Sequence, residues 1–296
     1  MSTTITTAPS RSIAKAAIAQ LQSTSNKHTN LLNISKCAGW AKRHGAQILF
    51  LPECCGYIGH NAQQTLENAD PSIDELLTMQ KQRGEQWWQR DNDTDDDDSS
   101  SISVFRKALA DTIASCAENG NDENNEMASA ANYIDNKSLA PPPITSIISE
   151  LCFIANESKL WISGGGVHTS VLSQNNDEHD ERKKIYNTHV IINNNGQIES
   201  YYHKIHLFDV SIPNENVNLR ESNTTSPGTK LVVCNSSPIG TLGLSICYDM
   251  RFPEMYVDLV HRMGAQVLLM PSAFTVPTGR AHWHALLKGE SILLLI

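Results

Sequence analysis

Three polar residues that could carry out acyl transfer stand at the ends of apolar segments. Glu53 follows "ILFLP", Lys204 lies within "YYHKIHLFDV", and Cys247 follows "GLSI". If these segments are strands of an α/β sheet, their carboxyl ends meet at the edge where ligand sites gather. A carboxylate, an ammonium and a thiol supply a general base, an oxyanion stabiliser and a nucleophile. Together they suffice for acyl transfer from an amide without a histidine.

Each of these residues also has an ordinary structural interpretation. Glu53 could cap a helix or pair with a cation, and Lys204 could lie on the surface. Cys247 could fill the core as a small apolar residue. Residue types and spacing alone leave both interpretations open.

Strands and helices are predicted to alternate around these residues. Segments 12–21 and 48–53 have the composition of buried strands, and 30–46 between them carries apolar residues at helical spacing. A helix is predicted at 144–158 and a strand at 160–167, followed by a hairpin that turns at "NNG". The last unit is "LGLSICYD", the helix "PEMYVDLVHRMG" and the strand "AQVLLMPSA". This alternation is typical of an α/β layered fold.

The negative charge of the chain is concentrated in one low-complexity region. The net charge is -9, and residues 85–135 contain 13 acidic but only three basic residues. We interpret about 85–140 and 173–184 as acidic insertions into one domain at 13–296, which follows a polar leader at 1–12. The stretch "VFRKALADTIASCAE" within the first insertion is predicted to form a helix outside the main body.

Cysteine and histidine spacing argues against a metal. The seven cysteines include no C-x-x-C pair, so we expect neither zinc nor another cofactor. The histidines near the candidate lysine and close to the end of the chain are instead expected to pack around the lysine and the sheet edge. They are His203, His206, His282 and His284.

Charge and hydropathy limit the partners. Outside the acidic region the chain is nearly neutral, so no nucleic-acid partner is expected. No apolar run reaches the roughly 18–20 residues that a membrane span needs, and the start of the chain lacks the apolar centre of a secretory signal. A small-molecule substrate and a cytoplasmic location are the expectations, and a homo-oligomer stays open.

Five motifs identify a family resemblance over about 13–288. "FLPE", "YHKIHLFDV", "LRES", "CYDMRFPE" and "PSAFTVPTGRAHWHALL" occur in this order. Together they resemble the nitrilase superfamily of carbon–nitrogen hydrolases, and most of all its Nit1 branch, the deaminated glutathione amidases. The resemblance implies a four-layer α-β-β-α sandwich. It also implies that Glu53, Lys204 and Cys247 are the catalytic triad, with Glu221 as an additional glutamate near the lysine.

The resemblance implies an amidase acting on carbon–nitrogen bonds other than peptide bonds. Glu53 would take the Cys247 proton, and a thioester would form and then be hydrolysed. Lys204 is expected to favour the thiolate, as is the following helix N-terminus. The substrate implied is a small carboxylate-bearing amide such as deaminated glutathione. An omega-amidase for α-ketoglutaramate-type substrates and an inactive binding or regulatory homologue are the alternatives.

Three residues are implied to bind the substrate. Arg251 would bind a carboxylate, which a planar guanidinium can do through two hydrogen bonds. Its structural alternative is a salt bridge with Asp249 or Glu254. Tyr248 and Thr278 match further positions of the branch, with a one-residue insertion preceding Thr278.

The chain departs from the family after "AHWHALLK". There it reads "GESILLLI" and ends, whereas the family continues through another helix and further strands. The expectation is a C-terminally truncated chain with an incomplete second sheet, low stability and weak or absent activity. An unpaired sheet edge and uncovered apolar surface are the physical reasons.

Overall fold

The computed structural model describes residues 13–89, 101–118, 143–172, 184–212 and 217–294. Its strands are β1 (Ala16–Ile18), β2 (Ile48–Phe50), β3 (Trp161–Ser163), β4 (Val167–Ser170), β5 (Ile185–Ile192), β6 (Ile198–His203), β7 (Asp209–Ile212), β8 (Val217–Arg220), β9 (Val233–Cys234), β10 (Leu242–Leu244) and β11 (Val267–Leu269). Its α-helices are α1 (Lys27–Arg43), α2 (Ala62–Glu67), α3 (Ile73–Arg83), α4 (Ser101–Glu118), α5 (Ile147–Ser158), α6 (Pro253–Val257) and α7 (Val276–Leu294).

Two main sheets and one separate hairpin contain these strands. The first sheet has the order β1-β2-β3-β5-β4, with β6 also paired to β5. Its β1, β2 and β3 are parallel, whereas β4 and β6 run antiparallel to β5. The second sheet has the order β11-β10-β9 in the described part of the chain, and β7 pairs with β8 alone. The predicted hairpin with its "NNG" turn is confirmed as β5–β6.

The two faces of the first sheet enter different cores. Leu49 packs with α1, α4 and α5, whereas its neighbour Ile48 faces the other way and packs with β10 and α6. Successive side chains of a strand point to opposite faces, which explains the division. The order from outside to outside is therefore helices, sheet, sheet, helices. This arrangement agrees with the α-β-β-α sandwich expected from the sequence.

The first strand is less buried than expected. Ile18 of β1 is 85% exposed, and Ile13 just before it is 91% exposed. The prediction of a buried strand at 12–21 is therefore wrong. The reason is position, because β1 is an edge strand that pairs only with β2.

Helix α4 belongs to the core, and the prediction that it would lie outside the main body is wrong. One stripe of the helix is fully buried against α1 and α5, and it consists of Phe105, Leu109, Ile113 and Cys116. Apolar residues at this spacing form one helical face. Arg106 also donates from Nη2 and Nε to the buried Glu150 carboxylate of α5, at 2.9 Å and 3.1 Å.

Trp87 and Trp88 of the same predicted insertion are buried too. The remainder of that prediction, at 90–100 and 119–142, lies outside the described residues. So do the leader at 1–12 and residues 173–183 of the second insertion. No described helix is both long and apolar enough to cross a membrane.

Replacing Phe105 by alanine is expected to destabilise the fold strongly. Phe105 is 0% exposed, and truncating a buried phenylalanine costs about 3–5 kcal/mol. Val104 on the outer side of the same helix is 40% exposed, so Val104→Ala should change stability by roughly 0.5 kcal/mol or less. Urea unfolding of both variants measures the difference. Equal midpoints would show that α4 does not stabilise the domain.

Candidate active site

Three strand ends bring the predicted catalytic residues together. Glu53 lies three residues after the end of β2, Lys204 directly follows β6, and Cys247 lies three residues after the end of β10. The Lys204 Nζ lies 3.4 Å from Glu53 Oε1, and the Cys247 thiol lies close enough to the Glu53 carboxylate to interact with it electrostatically. Glu53 and Lys204 are only 7% and 3% exposed. A surface role for the lysine is thus excluded.

Cys247 differs from the core cysteines in its exposure and its backbone. It is partly exposed, whereas Cys55, Cys116, Cys152 and Cys234 are buried. Its φ of 50° is in the left-handed region, which costs a non-glycine residue of order 1–3 kcal/mol and is typical of functional sites. The Cys247 N–H donates to the Pro271 carbonyl at 2.8 Å. This bond fixes the sharp change from strand to the 3₁₀ turn Cys247–Arg251.

Within the described residues, the groups that donate hydrogen bonds to the Glu53 carboxylate are N–H groups, and the Cys247 thiol lies beside them. Asn187 Nδ2 donates to Oε1 at 2.9 Å, the Ala273 backbone N–H donates to Oε2 at 3.0 Å, and the Lys204 ammonium donates to Oε1. An ionised carboxylate can only accept hydrogen bonds. The surroundings of Glu53 therefore suit an ionised carboxylate that can accept a proton.

Glu221 holds the lysine from the other side. The Lys204 ammonium donates to both Glu221 oxygens, at 3.2 Å and 2.9 Å, and Phe208 N–H donates to the same carboxylate at 2.7 Å. Burial disfavours the ammonium, but the charges of Glu53 and Glu221 outweigh it and raise the pKa of Lys204 above its ordinary value. The lysine is thus a fixed positive charge.

The surroundings of Cys247 favour the neutral thiol. Burial, followed by the negative charge of Glu53, raises the pKa of Cys247 well above its ordinary value, although Lys204 and the Ala273 N–H act in the opposite direction. The lysine thus acts in the expected direction, towards the thiolate, but burial and the Glu53 charge outweigh it. Formation of a thiolate would require a proton acceptor, and the Glu53 carboxylate lies beside the thiol.

Asp249 connects the Cys247 turn to the Lys204 segment. It is 0% exposed and accepts from the Tyr202 hydroxyl at 2.8 Å, from Ile246 N–H at 2.9 Å, and from the backbone and ring of His206 at 2.9 Å and 2.8 Å. These hydrogen bonds involve both oxygens of the Asp249 carboxylate. They hold the Cys247 turn and the segment around Lys204 in a fixed position relative to each other.

Arg251 has no ion pair to Asp249 or Glu254 within the described residues. Its guanidinium instead lies over the Tyr248 ring, 5.5 Å from the centroid. Tyr248 in turn makes edge contacts with Phe208 and Phe252, at centroid distances of 5.2 Å and 5.8 Å. A half-buried aromatic cluster therefore presents the guanidinium beside the Cys247 turn.

Other predicted residues lie elsewhere. Thr278 accepts from the Thr275 hydroxyl at 2.9 Å near the start of α7. His282 and His284 are exposed on α7, so the prediction that they pack at the sheet edge is wrong. His203 stacks on Tyr186, and burial lowers its pKa to about 4. No three His, Cys, Asp or Glu side chains of the described chain form a metal site.

The sequence reading missed Asn187, Asp249 and Ala273. Asn187 is a polar residue inside the apolar strand "IYNTHVII", and that interruption was the available signal. Asp249 was noted only as a partner for Arg251. Ala273 acts through its backbone N–H, which no residue type reveals.

The fold and these contacts agree with the family comparison. A sequence model of the carbon–nitrogen hydrolases matches residues 117–292. The chain belongs to the carbon–nitrogen hydrolase family, within the nitrilase superfamily, and its relatives lie in the Nit1 branch.

Curated relatives and a crystal structure support this assignment. The chain is 47% identical to the deaminated glutathione amidase of Dictyostelium discoideum over 167 residues, 56% of this chain and 52% of that protein. It is 29% identical to the Mus musculus enzyme of the same name, over 98% of this chain and 65% of the relative. The crystal structure of the C. elegans NitFhit protein matches with a TM-score of 0.60 and 27% identity, over 94% of this chain and 49% of that one. The chain thus spans about half the length of several relatives it matches.

Proposed function

We propose that the chain is an amidase that hydrolyses a small carboxylate-bearing amide, with deaminated glutathione as the substrate. The observation that carries the proposal is the grouping of Glu53, Lys204 and Cys247 at one sheet edge, with the Lys204 ammonium 3.4 Å from the Glu53 carboxylate and the Cys247 thiol within its electrostatic reach. The name shared by several relatives, deaminated glutathione amidase, supports the choice of substrate.

In the acylation step, Cys247 sulfur attacks the amide carbon while its proton moves to Glu53. The tetrahedral intermediate collapses when the carbon–nitrogen bond breaks and Glu53 returns the proton to the leaving nitrogen. The products of this step are a thioester on Cys247 and a free amine. General base and nucleophile are thus adjacent, as this chemistry requires.

In the deacylation step, Glu53 takes a proton from water as the water oxygen attacks the thioester carbon. The carbon–sulfur bond then breaks, the acid leaves and the sulfur regains a proton. Glu53 therefore acts as base and acid in turn. No further proton carrier is needed.

The oxyanion formed in both steps needs donors. Lys204 supplies a charged donor, held by Glu221. The Tyr248 N–H stands at the start of the 3₁₀ turn, where backbone donors have no acceptor inside the helix. Such preorganised donors stabilise developing negative charge strongly because they need not reorient.

Arg251→Ala is expected to lower kcat/KM about 30-fold or more for a carboxylate-bearing amide. The cause is the loss of a charge-assisted pair, which costs on the order of 2–5 kcal/mol. For an analogue without the carboxylate, the substitution should leave kcat/KM nearly unchanged. Steady-state kinetics on both amides measures the selectivity.

Arg262→Ala is the matched control for this prediction. Arg262 is an arginine of the same region whose side chain is 76% exposed and forms a weak ion pair with Asp258. Its substitution should therefore leave kcat/KM unchanged for both amides. Equal losses on the two analogues in Arg251→Ala would mean that Arg251 acts structurally.

The proposed activity is tested by mixing the purified 296-residue chain with deaminated glutathione and, separately, α-ketoglutaramate. Faster release of the amine from deaminated glutathione supports the proposal. Faster ammonia release from α-ketoglutaramate would favour the omega-amidase alternative. Binding without product formation would indicate the non-enzymatic alternative.

We also propose a cytoplasmic location. All seven cysteines of the chain are free thiols in the structure, which suits a reducing compartment. Fractionation of the expressed chain tests this assignment.

A further inference from the structure

Asn187 contacts the candidate base Glu53 in a way that no sequence motif indicated. It lies in β5, is 2% exposed, and donates from Nδ2 to Glu53 Oε1 at 2.9 Å. Its backbone carbonyl accepts from Lys204 N–H, also at 2.9 Å. A single residue is thus bonded to both the carboxylate and the lysine of the site.

The orientation of the Asn187 side-chain amide is energetically unfavourable for its oxygen atom. Because an ionised carboxylate can only accept, the amide turns its nitrogen towards Glu53. This leaves Asn187 Oδ1 buried without a hydrogen-bond partner among the described residues. An unpaired buried acceptor is unfavourable, and such groups in native structures call for an explanation. An apolar side chain would avoid the cost, so packing alone does not account for asparagine here.

The surrounding backbone leaves room for this contact. Gly166 lies between β3 and β4, and a Cβ there would collide with Asn187 Oδ1 and come within 3.0 Å of Glu53 Cγ. The Gly166 carbonyl accepts from Cys54 N–H at 2.8 Å, which ties this backbone to the residue after Glu53. Gly166 therefore allows the amide and the carboxylate to approach.

We propose that Asn187 is a positioning residue that keeps Glu53 ionised and aligned to take the Cys247 proton. The inference rests on the proposed function of Glu53 as the general base. Asn187 is the neutral side-chain N–H donor to Glu53, since the other N–H donors are the Lys204 ammonium and a backbone N–H. Its substitution therefore changes the donor without removing the lysine charge.

The other titratable groups around Glu53 are not substituted in this test. His168 lies on β4, and Cys54 and Lys204 lie after the ends of β2 and β6. Glu221 and Cys247 lie in the turns after β8 and β10. Burial lowers the pKa of His168, so this ring stays neutral near pH 7. Asn187→Asp also adds a charge close to Lys204 and Cys247, so an uncharged variant at the same position separates the loss of the amide donor from that added charge.

The test is the pH dependence of Cys247 alkylation in Asn187→Asp. Iodoacetamide is added to the full chain at a series of pH values, and labelling of the Cys247 peptide is followed by mass spectrometry. A second carboxyl against Glu53 makes the pair share a proton to higher pH. The pH of half-maximal rate should therefore rise by about 1–2 units, as should the acid limb of kcat/KM.

Asn194→Asp is the matched control, because Asn194 is exposed in the turn between β5 and β6. Its alkylation profile should equal that of the unsubstituted chain. Asn187→Ala removes the donor without adding charge, whether or not Asn187→Asp folds, and a loss of alkylation rate of about tenfold at pH 7 is expected.

An unchanged alkylation profile in a folded Asn187 variant overturns the inference. Because alkylation needs no turnover, this result stands even if the unsubstituted chain hydrolyses no amide. Absence of hydrolysis together with a shifted profile would instead reject the proposed amidase function and retain the role of Asn187.

Discussion

Cys247→Ala is expected to reduce amide hydrolysis by at least about 10,000-fold, the scale of loss when an enzyme loses its nucleophile. The reason is that the proposed mechanism forms the thioester on Cys247, whose thiol interacts with the Glu53 carboxylate. Rapid quenching of the reaction, followed by peptide mass spectrometry, should show the acyl adduct on the Cys247 peptide of the unsubstituted chain.

Cys37→Ala is the control for this result. Cys37 is also partly exposed, but it lies on α1 away from the site, so turnover should be retained. Circular dichroism should be unchanged in both variants. Activity retained in Cys247→Ala, or an adduct found on Cys54 or Cys55, would show that the nucleophile has been misassigned.

Glu53→Gln is expected to lower kcat by about 100- to 10,000-fold, the usual contribution of general acid–base catalysis. The glutamine has nearly the same shape but cannot take the thiol proton. Its amide nitrogen would also face donors, because Asn187, Lys204 and Ala273 all donate to this carboxylate. Single-turnover kinetics should show that formation of the thioester is the step that slows.

Glu221→Gln is the matched control, since Glu221 is the other carboxylate bonded to Lys204. Its carboxylate is bonded to the Lys204 ammonium and to the Phe208 N–H. We expect a smaller loss, up to about 100-fold, through poorer placement of the lysine donor. Iodoacetamide should still alkylate Cys247 readily in Glu221→Gln, whereas this alkylation should become slow in Glu53→Gln. Equal effects on that reactivity would contradict the assignment of Glu53 as the base.

Local patterns predicted most of the elements, but burial depends on distant partners. The apolar spacing of α1 and α5 and the hairpin turn before β6 are local features, and those elements form as expected. The exposure of β1 and the burial of α4 were predicted wrongly. β1 is at an edge of the sheet, and α4 meets α1 through contacts between residues far apart in the chain.

Composition was misleading for α4 because acidic flanks surround an apolar stripe. The flanking residues suggested a solvated segment, yet Phe105 and Leu109 are completely buried. A helical face can enter a core whatever the charge of its neighbours, provided that its apolar residues recur at helical spacing. The buried pair of Arg106 with Glu150 likewise joins residues 44 positions apart.

The sequence by itself determined which chemical groups are available. Glu53, Lys204, Glu221 and Cys247 were identified because each sits in a motif or follows an apolar strand, and strands deliver such residues to one edge. Family membership followed from five motifs in order. These are properties of residue type and local spacing, and they need no coordinates.

Only the tertiary structure decided how those groups act on one another. The neutral state of the Cys247 thiol follows from burial and from the Glu53 charge beside it. The contacts of Asn187 and Ala273 with Glu53 join residues 134 and 220 positions apart. Desolvation and hydrogen bonding depend on distances of a few ångströms, and packing of the two sheets sets those distances.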